Sequence, residues 1–301
     1  MNDSDFNVLN SIEETLQFRS LLSEGYHDFL KKYDPITRWD EIVPLAFPVS
    51  IEKKYEINRE FIEEYAALCP SLVSMANSFG ENLAPLLGLR YAWSRIGIHC
   101  QILDGLSTVV EEIGEPRVII EPGSFCSGLI HFLPTVYDVN YIGIDISPTA
   151  LDVCRKIEQD LELPGQRYLL KADCLAVGVP TLKQTIGPEK IQIEDTIVII
   201  CNLLTNIEQT WDKIPAIDGR QISAGLVSYW VNEGATVLIC ERTDVPADYL
   251  KQIVDFGTWT KPASAKMLNE FTSFSTREMS RENPIGDWYE SRGCLAMIRQ
   301  D

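Results

Sequence analysis

Along the first third of the chain, apolar residues recur at helical spacing. Leu22, Tyr26, Phe29 and Leu30 continue a face that opens near Ser11 and stops at Asp34-Pro35. A second face runs through Ile57, Phe61, Tyr65 and Leu68 before Pro70. Further helical runs are expected over 70–79 and from 83 to about 112, the latter broken by its glycines Gly88, Gly97 and Gly105. Residues 1–112 therefore read as an all-helical N-terminal cap. From Gly114 the period changes. Short β-branched runs, as in Val118-Ile119-Ile120, alternate with amphipathic stretches, and this predicts strands over 117–121, 140–146, 167–172, 195–201, 235–241, 270–276 and 293–299. Helices are expected at about 127–133, 148–161, 179–186, 219–232 and 246–256, the first of them stopped early by Pro134. Five βα units followed by two strands with no clear helix between them define an α/β fold. Its seven-stranded sheet is mostly parallel and Rossmann-like, with an antiparallel last strand.

The first two runs of that pattern carry the chemistry. RVIIEPGSFCSG ends an apolar strand on Glu121 and turns through small residues, and YIGIDIS ends the next strand near Asp145. This is the layout of a βαβ unit holding a nucleoside-bearing cofactor at the carboxyl ends of its strands. Gly123, Ser124 and Gly128 let backbone approach a ligand closely, and Ser127 can cap the helix that follows. Asp145 stands where a carboxylate accepts hydrogen bonds from both hydroxyls of a ribose. Glu121 decides the sign of the cofactor's charge. A dinucleotide would set its pyrophosphate beside that carboxylate, and one such pair at ~4 Å with an effective dielectric of ~20 costs about 4 kcal/mol. A cofactor carrying an ammonium and a sulfonium gains from the same acid.

EPGSFCSG followed by GIDIS resembles motif I and the acidic post-I position of the class I S-adenosylmethionine-dependent methyltransferases. The chain keeps Glu121, Gly123 and Gly128 of the usual E/D-x-G-x-G-x-G loop. It departs at Phe125, where the middle glycine is expected, and its loop is one residue longer. Lys171-Ala172-Asp173-Cys174 is similar to the family's acid after the third strand, and VNEGATVLI at 231–239 to its turn into the fifth. The resemblance spans roughly 113–301, which it implies is the cofactor-binding domain. It further implies that Glu121 and the loop backbone at Gly123, Ser124, Phe125, Ser127 and Gly128 hold the methionine moiety. Asp145 with Ile146 would take the ribose side, Asp173 with Cys174 the adenine, and Asn202 with Leu203 the place where the methyl group meets its acceptor.

Composition narrows the partners. With 26 basic against 44 acidic residues the formal net charge is −18, and no extended Lys/Arg cluster offers a face to phosphates. Nucleic acid and anionic membrane surfaces are therefore disfavoured as partners, while oligomeric state is left open. No apolar run approaches the ~18 residues of a membrane span. The eight cysteines form no CxxC pair and read as buried thiols of a cytoplasmic protein, with no metal framework.

The expected activity is methyl transfer from S-adenosylmethionine to a small molecule or peptide-like metabolite. The segment after the fourth strand, CNLLTN, lacks the N/D-P-P-Y/F pattern often used to polarise an acceptor nitrogen. An oxygen acceptor, hydroxyl or carboxylate, is favoured on that ground over an N-methyltransferase. A catalytically silent methyltransferase-fold scaffold is the reading from a different class, supported by Phe125. A hydroxyl acceptor needs a base. Candidates are His27 on a helix of the cap and His131 just after the glycine loop, although a structural role is the better expectation for His131. Tyr91, Trp93 and Arg95 could wall the acceptor pocket, or simply pack as a helix-core stripe.

Overall fold

The computed structural model describes residues 20–33, 96–125, 127–242, 246–277 and 287–300. They form seven strands, β1 (Val118–Pro122), β2 (Asn140–Asp145), β3 (Gln166–Lys171), β4 (Thr196–Cys201), β5 (Thr236–Arg242), β6 (Ala263–Arg277) and β7 (Asp287–Gln300). Eight α-helices accompany them among the described residues. In chain order these are α1 (Leu21–Tyr33), α2 (Ile96–Ile113), α3 (Leu129–Val136), α4 (Pro148–Leu161), α5 (Val179–Ile186), α6 (Leu204–Trp211), α7 (Gly219–Glu233) and α8 (Pro246–Phe256).

The sheet order is β3-β2-β1-β4-β5-β7-β6. The first five strands are parallel, and β7 enters antiparallel between β5 and β6. This is the mostly parallel Rossmann-like sheet with an antiparallel last strand expected from the sequence. Period-two alternation divides the central strands between two apolar cores. Ile119, Tyr141, Ile199 and Leu238 face a layer built from α1 to α4. Ile120, Ile142, Ile200 and Ile239 face a layer from α5 to α8. The chain order reverses between β1 and β4, which opens a crevice at their carboxyl ends.

Three features differ from the sequence expectation. Residues 96–112 were assigned to the N-terminal cap, but α2 lies on the sheet, with Leu103 and Leu106 in one core with Leu238 and Leu295. Helix α1 packs in the same layer, its Tyr26 stacked near Phe29 and Phe132 and its hydroxyl 2.7 Å from His99 Nδ1. The other cap helices, expected over 56–68 and 70–79, lie outside the described residues.

The second difference is α3, which runs through Pro134 to Val136. Proline deprives the carbonyl one turn earlier, that of Ile130, of its helical donor. Arg167 on β3 supplies the substitute, its Nε donating to Ile130 O at 2.8 Å and its Nη2 to His131 O at 3.0 Å. A guanidinium from a neighbouring strand thus carries the helix past its breaker.

The third difference is the hairpin of β6 and β7, longer at both ends than expected, with a bulge between Met267 and Asn269. An edge strand bonded to one neighbour needs no continuous apolar run, so its length escapes hydropathy. Helix ends follow local chemistry more closely. Ser147 accepts from the Ala150 N–H at 3.2 Å to cap α4, and Asp218 accepts from the Arg220 N–H at 2.9 Å to cap α7.

Candidate functional site

The loop after β1 is stitched to the end of β2. Gly123, at φ +67, donates its N–H to Ile144 O at 2.8 Å, and Ser124 donates to the same carbonyl at 3.1 Å. Phe125 also lies in the left-handed region, at φ +47, where a non-glycine residue costs roughly 1–2 kcal/mol. Its N–H donates to Asp145 Oδ2 at 2.7 Å, which holds the strained residue in place. Its ring is buried in the same apolar cluster as Leu129, Ala150 and Cys154. The position read as a missing glycine therefore anchors the loop to the core. Ser127 Oγ accepts from the Leu129 N–H at 3.3 Å, and buried Gly128 begins α3.

Asp145 is bracketed from two sides. Its Oδ1 accepts from the Ser147 N–H at 2.8 Å while Oδ2 takes the Phe125 N–H. It is 6% exposed, and the next residue, Ile146, is 57% exposed, an apolar side chain left open beside a carboxylate. The turn after β3 comes to the same place. Ala172 N–H donates to Asp145 O at 3.0 Å, Asp173 Oδ1 accepts from the Leu175 N–H at 2.9 Å, and Cys174 is half-buried between the two acids. Burial pushes the Cys174 thiol up to about 12, and Asp173 and Asp145 add to the shift, so the thiol stays protonated. Asp145, Ile146, Asp173 and Cys174 are thus brought together.

Glu121 ends β1 on the α2–α3 side of the sheet, 2% exposed, and accepts from the Tyr141 hydroxyl at 2.6 Å. Burial and the Glu121 carboxylate raise that phenol well above its usual value, so it remains a donor. Across the crevice, Leu203 closes on the glycine loop so tightly that a Cβ on Gly123 would lie 2.8 Å from its Cδ1. Asn202, in the left-handed region at φ +49, donates its N–H to Cys240 O at 2.9 Å.

Among the described side chains, His131 contributes no base to this surface. His131 is 1% exposed, and burial followed by the nearby Arg167 lowers it to about 3. Its imidazole stays neutral inside α3, which corrects the reading of it as a candidate base. The side chain of His27 lies outside the described residues, as do Tyr91, Trp93 and Arg95. The buried thiols are Cys100, Cys154, Cys201, Cys240 and Cys294. Among the described residues no His/Cys/Asp/Glu group is arranged to hold a metal, and no helix is long and apolar enough to cross a membrane.

Glu241-Arg242 is a strand-end position that the sequence points to without giving it a role. Glu241, at the end of β5, accepts from the N–H groups of Leu203 and Leu204 at 2.6 and 2.7 Å and from Thr205 Oγ1 at 3.0 Å. It caps α6, a helix the sequence pattern did not reveal. Its only signal was positional, a carboxylate closing an apolar run, as Glu121 and Asp145 do.

The fold and these strand-end acids describe a Rossmann-like domain whose carboxyl strand ends at β1, β2 and β5 carry carboxylates. No protein-family model matches the chain, and no curated protein matches it. Among solved structures it is similar to magnesium protoporphyrin IX methyltransferase (ChlM) from Synechocystis PCC 6803 with bound SAH, at 14% identity over 70% of this chain and 85% of that chain, TM-score 0.42. It is also similar to the YcgJ protein from Bacillus subtilis, at 6% identity over 66% and 99%, TM-score 0.45. A third is a TehB-like SAM-dependent methyltransferase from Corynebacterium glutamicum, at 12% identity over 65% and 88%, TM-score 0.38.

Proposed function

We propose that the chain is an S-adenosylmethionine-dependent methyltransferase acting on a small molecule or peptide-like metabolite in the cytoplasm, without a nucleic-acid or membrane partner. The observation that carries this is the Asp145 carboxylate. It closes β2 at the mouth of the crevice, positioned by the Phe125 N–H on Oδ2 and the Ser147 N–H on Oδ1, beside exposed Ile146 and the Asp173 turn, where a ribose would lie.

The surrounding residues fit the rest of the cofactor. Ile146 offers an exposed apolar wall, and Asp173 with Cys174 offers polar groups beside it. Ser124 Oγ is buried with no hydrogen-bond partner among the described residues. Glu121 supplies a negative charge to the methionine end. Gly123 supports a close approach, since a side chain there would strike Leu203. When bound, the cofactor supplies an electrophilic methyl group. The chain's own part is to hold the acceptor in line at ~3–3.5 Å from it and to exclude water.

His131, lowered to about 3 by burial, does not serve as a base near neutral pH, and His99 is buried against the Tyr26 hydroxyl. This favours an acceptor that loses its proton readily, such as a carboxylate oxygen, over an unactivated hydroxyl. An N-acceptor is the alternative outcome of a substrate screen. The silent-scaffold reading drew on Phe125, and burial of that ring in the core removes its chief support.

Isothermal titration with adenosylmethionine, its demethylated product and NAD tests the cofactor. Binding of either sulfur compound is expected. Binding of NAD alone would sink the proposal.

A further inference from the structure

We infer that Glu241 is a positioning residue of the cofactor site, holding the Asn202–Leu203 turn in its working shape by clamping the amino end of α6 from the neighbouring strand. This rests on the methyltransferase reading above. The first turn of any helix leaves N–H groups without intrahelical partners, and these are usually met by a local side chain or water. Here Leu203 at the N-cap makes no side-chain cap. Both open donors, with the Thr205 hydroxyl, converge instead on a carboxylate 0% exposed and more than thirty residues downstream. The clamped turn is the one that closes on the glycine loop at Gly123. Its remaining backbone groups are also engaged, Asn202 N–H by Cys240 O and Asn202 O by Asn206 Nδ2 at 2.6 Å. Strand β5 therefore dictates where Leu203 sits against the loop.

The clamp is ionisable. Burial pushes Glu241 up to about 7, against the pull of its own hydrogen bonds. The titratable groups facing it are Cys294 on β7 and Tyr249 on α8. Behind Tyr249 stand Glu208 of α6, bonded to its hydroxyl at 2.9 Å, and Arg220 of α7, paired with Glu208 at 2.9 Å. Burial raises the thiol to about 12 and raises the phenol too, so both stay neutral and the change of charge falls on Glu241. An ionised carboxylate makes charge-assisted bonds to the turn, and a protonated one makes weaker bonds.

Glutamine at this position can accept both N–H groups through its carbonyl oxygen and donate to Thr205, without titrating. The test is titration of the intact protein with adenosylhomocysteine at pH 6 and pH 8. The parent should bind several-fold more tightly at the higher pH. Glu241→Gln should bind within about threefold of the parent at pH 8 but show no pH step, whereas Glu241→Ala should lose roughly tenfold or more at both. Parent-like affinity in the alanine variant, or a full pH step in the glutamine variant, would overturn the inference. If the parent binds no sulfur compound, the cofactor reading falls. Hydrogen exchange at the Leu203 and Leu204 amides then tests the clamp: lost protection in the alanine variant alone supports it, and equal protection in all three proteins overturns it.

Discussion

Asp145 and Glu241 close two strands of one sheet, and both accept backbone N–H groups from a neighbouring turn. Their fates differ because their surroundings differ. Asp145 receives an N–H on each oxygen at the carboxyl end of β2, beside an exposed isoleucine. Glu241, 0% exposed, spends both oxygens on protein donors, and burial raises its pKa. The same functional group at the same level of a fold lies beside an exposed edge of the crevice in one case and wholly inside the core in the other, and the surroundings set its role.

The largest expected effect comes from breaking the open member of the pair. Asp145→Ala orphans the Phe125 and Ser147 donors and removes the ribose acceptor. It should weaken cofactor binding by about 1–3 kcal/mol and lower unfolding free energy by a similar amount. Titration and urea denaturation read the two. Unchanged affinity with lowered stability would make Asp145 a second clamp and erase the contrast.

Arg167 is a cationic counterpart to Glu241, a charge given over to carbonyls. Arg167→Met should cost about 2–3 kcal/mol, since the Ile130 carbonyl beside Pro134 has no other donor of its own helix. Cofactor affinity should change less than stability, the reverse of a ligand-reading residue.

The pH dependence of stability sharpens the comparison further. Glu241 has a folded value near 7 against a usual 4.5, so its stabilising contribution is present below 4.5 and is lost as pH rises through about 7. His131, lowered from 6.5 to about 3, acts in the opposite sense, and stability falls as pH drops from 6.5 toward 3. The two slopes partly cancel in the parent. Glu241→Gln should remove the first and leave stability rising steadily from pH 3 to 6.5, read by denaturation at a series of pH values. The smallest effect is that of Ile146→Ser. With its side chain exposed, stability should stay within about 0.5 kcal/mol while affinity for the adenosyl compound drops by about 1 kcal/mol.

The strands buried on both faces were legible because their β-branched runs have no other use. The acids that end them were legible because a carboxylate after an apolar run needs a reason. Helix α6 was not, since it has only eight residues and its cap comes from β5. Pro134 was misread as a stop for the same kind of reason, its relief arriving from Arg167 across the layer. Phe125 stands at a glycine position of the loop motif, and the role of its ring is set by the core that it joins.

Hydrophobic period and strand-end charge thus determined by themselves the sheet, its antiparallel last strand and the set of acids at its carboxyl ends, because those depend on local spacing and on which side chains can be buried. The tertiary structure alone decided that α2 belongs to the sheet layer, that His131 stays neutral, and that Glu241 is wholly buried against the turn before α6. Desolvation and hydrogen-bond closure depend on neighbours distant in the chain, and no local pattern records them.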